Sequence, residues 1–142
     1  MKKTILSVLA LSLLGGCAVS ENQGQLRESD LRDPLYEYVD RQIYMDLATV
    51  QRNLFINRDA CHMYFELKQD PLQVHFSTLI YGPEGQTDLR EQVMLDLTAY
   101  ASGKLGIKGY TYYAKNKELA RGLVDVLAKP TTCPAGINPK TE

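Results

Sequence analysis

Two histidines and three cysteines are the side chains of this 142-residue chain best suited to metal binding or nucleophilic chemistry. His62 and His75 lie on either side of a predicted turn. Antiparallel pairing across that turn would place them about 13 Å apart, at ~3.3 Å per residue, which is too far to share an ion. His75 would instead face Glu66 as a cross-strand pair. Since no CxxC pair is present and the cysteines are not spaced to join the histidines, no metal site is predicted.

Motifs of catalysis are also absent from the sequence. The chain contains no GxSxG, HExxH, phosphate-binding loop or GxGxxG pattern, and Thr87 and Ser102 have no base nearby in sequence. Nothing points to a glycosidase-like pair of carboxylates. We therefore expect no catalytic residue, no cofactor and no enzymatic activity. The scattered acidic residues are interpreted as solvated surface, including Asp40, Asp46, Asp96 and Asp125.

The N-terminus has the pattern of an export signal. Lys2 and Lys3 precede an apolar run of ten residues, "ILSVLALSLL", whereas a membrane-spanning helix needs roughly 20. A basic start, a short apolar core and small residues after it are typical of a secretory signal peptide. The run leads into "LGGC", Leu14 to Cys17. This motif resembles the lipobox of bacterial lipoproteins, which consists of a leucine, two small residues and the cysteine that is lipidated.

The resemblance implies a lipid anchor. It implies cleavage after Gly16, a diacylglycerol group on the Cys17 sulfur and usually a third acyl chain, such as palmitate, on the new amine. Two or three acyl chains hold a protein stably in a bilayer, whereas one chain does not. The residue after the cysteine is Ala18 and not aspartate, which favours the outer membrane by the sorting rule of enteric-type lipoproteins. The implied location is the periplasmic face of that membrane, with exposure on the cell surface left open.

Three segments follow from this interpretation: a cleaved signal peptide at residues 1–16, a lipidated N-terminus and flexible tether at 17–29, and a single periplasmic domain at 30–142. Cleavage leaves 126 residues, enough for one modest hydrophobic core. Lys2 and Lys3 are lost with the signal, so 14 basic residues remain against 17 acidic ones and the net charge is about −3. A weakly acidic surface argues against nucleic acid as a partner.

Two cysteines remain in the mature chain, Cys61 and Cys133. Exported proteins fold in an oxidising compartment, and two cysteines allow one pairing. A Cys61–Cys133 disulfide is therefore predicted. It would close a loop of roughly 70 residues, worth on the order of 4 kcal/mol in the chain-entropy model.

Hydrophobic periodicity predicts a two-layer α+β domain with the order α-β-β-α-β-α and a small, mixed, three-stranded sheet packed by helices. The helices are expected over 33–55, 87–102 and 117–129, and a strand over "IKGYTYYAK". "CHMYFELK" and "VHFSTLIYG" should form a hairpin around a turn at 70–73. That turn would place eight residues on one face: Cys61, Met63, Phe65, Leu67, Val74, Phe76, Thr78 and Ile80.

Tyrosine is the unusual feature of the composition, with nine tyrosines, three phenylalanines and no tryptophan. "GYTYYAK" brings Tyr110, Tyr112 and Tyr113 together. A short aromatic strand late in the chain is expected at a sheet edge, where tyrosine offers a rigid contact surface with a polar tip. These three residues are therefore the predicted partner-binding site. The alternative is that one face of the strand completes the core.

The mature domain carries no motif that identifies its family. A small anchored domain without catalytic residues favours an accessory protein-binding subunit of an envelope machine, of the kind used in secretion, conjugation or assembly. Two alternatives stay open. One is a binder of cell-wall glycan or a small ligand, with tyrosine stacking on sugar. The other is an immunity or inhibitor lipoprotein that neutralises a toxin or a lysozyme.

Overall fold

The structure, a computed structural model, describes residues 24–134. This part of the chain folds into one five-stranded sheet and three α-helices. The helices are α1 (Glu28–Leu31), α2 (Leu47–Cys61) and α3 (Lys117–Ala128). The strands are β1 (Glu37–Ile43), β2 (Phe65–Gln69), β3 (Phe76–Tyr81), β4 (Val93–Ala99) and β5 (Leu105–Thr111).

The sheet has the order β1-β5-β4-β3-β2, and every neighbouring pair is antiparallel. Strands β2 to β5 follow one another as a meander. Helix α2 connects β1 at one edge of the sheet to β2 at the other. The predicted order α-β-β-α-β-α and the three-stranded mixed sheet are therefore wrong, because two of the predicted helices contain strands.

Helices α2 and α3 cover one face of the sheet, called here the helix face. The core between them is apolar and its central side chains are fully buried. Helix α3 begins after Asn116, as the sequence predicts, and turns its apolar stripe to the sheet. The main core residues of the sheet are Leu79, Leu95, Leu97 and Ile107, and those of the helices are Val50, Leu54, Leu123 and Leu127.

The first predicted helix, over 33–55, is in fact a strand followed by a helix. Asp33 and Pro34 begin only a short 3-10 turn, and β1 follows directly. Helix α2 starts later, where the Asp46 carboxylate accepts a hydrogen bond from the Thr49 N–H at 2.7 Å. The error has a physical cause. Val39 and Ile43 are four residues apart, a spacing that fits one face of a helix as well as one face of an edge strand.

The second predicted helix, over 87–102, is β4 preceded by a 3-10 turn. Val93, Leu95 and Leu97 point to the helix face, while Met94 and Asp96 point to the other face and are buried as well. A strand that is buried on both faces reads as a continuous apolar run and loses its alternation. Periodicity alone cannot distinguish such a run from a buried helix.

The predicted hairpin exists as β2 and β3, but its register differs. Leu67 pairs with Leu79. The connection spans residues 70–75, in which the Gln73 N–H donates to the Asp70 carbonyl oxygen. The extra turn residues move Phe76, Thr78 and Ile80 to the face opposite Phe65 and Leu67. Cys61 and Met63 precede the strand, because α2 ends at Cys61 and His62 follows with a φ of 50°.

The C-terminal ends of α2 and α3 are tied together by a disulfide and by buried amides. Cys61 and Cys133 are bonded, with Cα atoms 5.5 Å apart, which is consistent with the predicted disulfide. Beside it, the Asn57 amide donates to the carbonyl oxygens of Val126 (2.7 Å) and Lys129 (2.9 Å). These oxygens lie at the end of α3, where carbonyls lack partners within the helix. The α3 terminus is therefore capped by α2.

Candidate functional site

The face of the sheet opposite α2 and α3, called here the outer face, is crossed by residues 24–36, which we name the N-terminal strap. Leu31 of the strap is fully buried and packs with Ile80, Met94 and Tyr110. Leu26 packs against the same cluster. The predicted tether at 17–29 therefore overlaps the strap, and its boundary with the domain falls inside α1.

A bidentate ion pair holds the strap to the sheet. Arg32 donates from Nε to Asp96 Oδ2 at 2.7 Å and from Nη2 to Asp96 Oδ1 at 3.0 Å. Thr78 completes the group, since its hydroxyl donates to Asp96 Oδ1 at 2.9 Å. The hydrogen bond to Asp96 raises the pKa of the Arg32 guanidinium, so Arg32 stays charged. The expectation that Asp96 is solvated is wrong, because it lies under the strap with only 7 % of its surface exposed.

Tyr110 lies under the strap and not at a free surface. Its strand, β5, sits between β1 and β4, so the expectation of an edge position is wrong. Tyr110 is 5 % exposed and contributes to the small core beneath Leu31. Burial raises the pKa of its phenol. In this arrangement the Tyr110 side chain is not accessible to a partner.

Tyr112 and Tyr113 lie where β5 ends, and they form a surface cluster with Tyr36 of the strap. The Tyr36 and Tyr112 rings stack with centroids 5.1 Å apart, and Tyr113 meets Tyr112 edge-on, also at 5.1 Å. Both contacts lie in the distance range favoured by aromatic pairs. We call Tyr36, Tyr112 and Tyr113 the tyrosine cluster. Two of the three residues of the predicted partner-binding site thus belong to one surface feature.

Two cations lie against the tyrosine cluster, and each also has an acidic partner. Arg90 sits 5.9 Å from the Tyr112 ring centre, and Lys115 sits 4.9 Å from that of Tyr113. Arg90 pairs with Asp88 at 3.3 Å, and Lys115 pairs with Glu91 at 3.0 Å. The cations therefore support the rings through cation–π contacts without giving the surface a strong net charge.

The apolar character of this surface continues onto the strap. Leu35, next to Tyr36, is 73 % exposed, and Tyr113 is 37 % exposed. Arg90 also donates to the carbonyl oxygen of Gly24, which links the loop before β4 to the start of the strap. The rings are thus held by neighbours on three separate segments of the chain. Because these contacts already fix the rings, the rings lose little side-chain entropy when a partner covers them.

A second feature is a groove of about 450 Å³ between the strap, the loop before β4 and the exposed side of β2. Its lining mixes apolar, amide and charged side chains. Lys68 bridges the two acids of the groove, with Nζ 2.6 Å from Glu28 and 3.7 Å from Glu66. The principal lining residues are Leu26, Glu28, Tyr64, Glu66, Lys68 and Gln86.

The histidines do not contribute to either feature. His62 follows α2 and His75 precedes β3, and both are exposed. His75 does not face Glu66 as expected, because Glu66 pairs with Ile80 in the observed register. Among residues 24–134, no group of three or more His, Cys, Asp or Glu side chains could hold a metal ion. No helix in the same range is both long and apolar enough to cross a membrane.

Cys17 and the signal peptide lie outside the described residues. Comparison with known proteins found no match: no protein family, no curated protein and no solved structure matches this chain.

Sequence reasoning missed the strap and the contribution of Tyr36 and Arg90. One signal was present for the strap. Asp96 interrupts the apolar run "VMLDL", and a charge inside a buried run requires a buried partner. For Tyr36 there was no comparable signal, because its stacking on Tyr112 depends on a contact between residues 76 positions apart in sequence.

Proposed function

We propose that this protein is a non-enzymatic lipoprotein of the bacterial outer membrane. Acyl chains on Cys17 would anchor it in the bilayer, with the folded domain on the periplasmic side. In this proposal it acts as an accessory subunit of an envelope machine, and its working surface is the tyrosine cluster that binds a partner protein. The lipobox resemblance supports the anchor, and the clustered, half-exposed rings support the binding surface.

The tyrosine cluster is the observation that carries the proposal. Tyrosine and arginine are, with tryptophan, the residue types most enriched at the energetic centres of protein interfaces, and here three tyrosines and Arg90 are in contact. Tyr113 and Leu35 contribute exposed apolar surface that the described core does not use. Because Arg90 and Lys115 are balanced by acids, contact area and ring geometry would drive binding more than net charge.

A photo-crosslinking residue at position 113 tests the proposal in living cells. The matched control is position 44, because Tyr44 is 81 % exposed and has Lys104 at 5.0 Å from its ring, much as Tyr113 has Lys115. We expect a single saturable adduct from position 113 and none from position 44. Leu35→Glu should abolish the adduct while leaving the melting temperature unchanged, since Leu35 is outside the core.

Two results would contradict the partner-binding role of the cluster. One is the absence of any adduct from position 113, and the other is an equal pattern of adducts from positions 113 and 44. The identity of the crosslinked protein distinguishes between the proposed function and its alternatives. A secretion, conjugation or assembly component supports the accessory subunit, whereas a toxin or a lysozyme supports the immunity or inhibitor alternative.

The groove favours the glycan or small-ligand alternative as a second candidate. Tyr64 is half exposed at its rim, and the amides of Gln86 and Gln92 lie in its lining. An exposed ring beside hydrogen-bonding groups suits a sugar. Titration with soluble cell-wall fragments, followed by NMR shifts at Tyr64 and Ile80, tests it. Shifts at Ile80 that saturate in the wild type and vanish in Tyr64→Ala would support a glycan site. Unchanged spectra at millimolar fragment would exclude one.

A further inference from the structure

Strand β2 lies at an edge of the sheet. It pairs with β3 on one side, and no strand pairs with its other side in the described part of the chain. Its free backbone N–H and C=O groups form a template for one more strand. Two strands, β3 and β4, lie between β2 and β5, so this edge is separate from the tyrosine cluster. The sequence of the edge, "FELKQ", indicates which strand fits it.

We propose that β2 pairs with β2 of a second copy of this chain. The pairing is antiparallel, about a two-fold axis through Leu67, the middle residue of the strand. Such an axis stands perpendicular to the sheet, so each face of one copy continues into the same face of the other. The two five-stranded sheets then join into one sheet of ten strands.

The register brings opposite charges together. With Leu67 on the axis, Glu66 faces Lys68 of the second copy, and Lys68 faces Glu66 of the second copy. Both pairs lie on the outer face, where opposite charges directly across two strands are stabilising. On the helix face, Leu67 meets its own copy and Phe65 meets Gln69. The strand is thus complementary to itself in charge and in apolar contact.

The other edge of the sheet lacks this complementarity. Centred on its middle residue, the same operation on β1 would oppose two copies of Asp40, and like charges directly opposite are destabilising. The register of β1 is also irregular between Glu37 and Val39. A bulge of this kind protects an edge from pairing. Self-pairing is therefore specific to β2.

Exposed apolar side chains lie at both ends of β2. Tyr64 and Phe55 are at its beginning, with Phe55 5.8 Å from the Phe65 ring, and Leu72 and Val74 are in the turn that follows it. All four of these side chains are at least 45 % exposed. An antiparallel two-fold brings the turn of one copy to the beginning of β2 in the other. The pairing would therefore bury apolar surface at both ends of the shared strand pair.

Charge reversal on the full chain, purified in detergent, tests the proposal by native mass spectrometry and sedimentation. In Glu66→Lys, the lysine at position 66 of each copy would face Lys68 of the other copy, so two lysine pairs would lie across the shared strands. We expect the dimer to dissociate roughly tenfold more readily, because two attractive pairs become repulsive. The double variant Glu66→Lys/Lys68→Glu exchanges the two charges across the strand pair and should restore the wild-type dimer. It is made in a Glu28→Gln background, because Lys68 also pairs with Glu28 at 2.6 Å and the exchange would otherwise place two acids together there. The matched control is Glu118→Lys on α3.

The control is close in chemistry and exposure. Glu118 is 66 % exposed and pairs with Arg121, while Glu66 is 62 % exposed and pairs with Lys68. Glu118→Lys should leave the dimer unchanged, and thermal melting should show that all variants are folded. A monomeric wild type at 100 μM protein would overturn the proposal. So would a Glu66→Lys variant that dimerises like the wild type, or a double variant that stays monomeric.

Discussion

Asn57 is expected to be the polar side chain whose loss costs the domain most stability. Its amide donates to the Val126 and Lys129 carbonyl oxygens, and its own oxygen accepts from the Thr132 N–H at 3.1 Å. The side chain is fully buried. One residue therefore satisfies three backbone groups at the end of α3 and in the chain that leads to Cys133.

The cost of Asn57→Ala follows from where those three groups lie. The Val126 carbonyl is in the buried core, so leaving it unpaired costs about 1–2 kcal/mol. Lys129 is exposed and Thr132 is half-buried, so water can replace part of each bond and the loss is nearer ~0.5–1 kcal/mol apiece. We expect a total near 3 kcal/mol, or a melting temperature about 12 °C lower for a domain of this size.

Asn53 provides the matched control. It is also buried on α2, but its amide donates to only one carbonyl oxygen, that of Leu127, at 3.0 Å. Asn53→Ala should therefore cost about 1 kcal/mol. Urea unfolding followed by circular dichroism measures both variants. If Asn57→Ala costs no more than Asn53→Ala, the reasoning about the three backbone groups is refuted.

A double-mutant cycle with the disulfide tests whether the two act on the same segment. In the Cys61→Ala/Cys133→Ala background, residues after α3 are no longer fixed to α2 by a covalent bond. The hydrogen bonds from Asn57 to Lys129 and Thr132 should then already be partly lost in this background, before Asn57 itself is replaced. Asn57→Ala should cost roughly 1 kcal/mol less in that background than in the wild type, because neighbouring interactions are not additive.

Three further predictions concern the strap, α2 and the anchor. Arg32→Met should lower the free energy of unfolding by about 2 kcal/mol in urea titrations, because it leaves the Asp96 carboxylate buried without its ion pair, while Asp96→Asn should cost less. The Thr49 N–H lowers the pKa of Asp46 below its ordinary 3.8, so the contribution of this cap is present above that pH and is lost as the pH falls through the folded pKa. In Asp46→Asn, the free energy of unfolding should therefore fall less steeply than in the wild type as the pH is lowered through the folded pKa. An equally steep fall in both proteins would contradict the cap. Cells labelled with a palmitate analogue should incorporate it in the wild type and not in Cys17→Ser, and equal labelling would exclude the anchor.

Elements with a clear local signal could be predicted from the sequence. Helix α3 has an apolar stripe along one face and a proline that stops it, and both act within a few turns of chain. The prediction of the Cys61–Cys133 pairing rested only on the two cysteines left after the predicted cleavage and on the predicted oxidising compartment. Neither inference required knowledge of which strands are neighbours.

The sheet itself could not be predicted in this way, because its burial pattern depends on tertiary contacts. Met94 packs with Leu31 of the strap and Asp96 pairs with Arg32, so β4 is buried on both faces and its sequence does not alternate. The interior position of β5 depends on β1, whose residues fit a helical spacing equally well. Tyr110 was assigned to an edge as part of the binding site, and its burial agrees instead with the alternative that one face of the strand completes the core. The candidate site was therefore identified in Tyr112 and Tyr113 but not in Tyr36.

The strap connects the proposed anchor to the proposed binding surface. Beyond the ion pair at Arg32, the strap ends at Tyr36, whose ring stacks on Tyr112. Lifting the strap from the sheet would break the ion pair, uncover Met94 and remove one ring from the tyrosine cluster. A partner that binds the complete cluster therefore binds only the docked form and stabilises it by linkage. Reciprocally, tension on the N-terminal chain that favours release of the strap would lower the affinity for the partner. The change in binding free energy equals the coupling free energy between strap docking and partner binding.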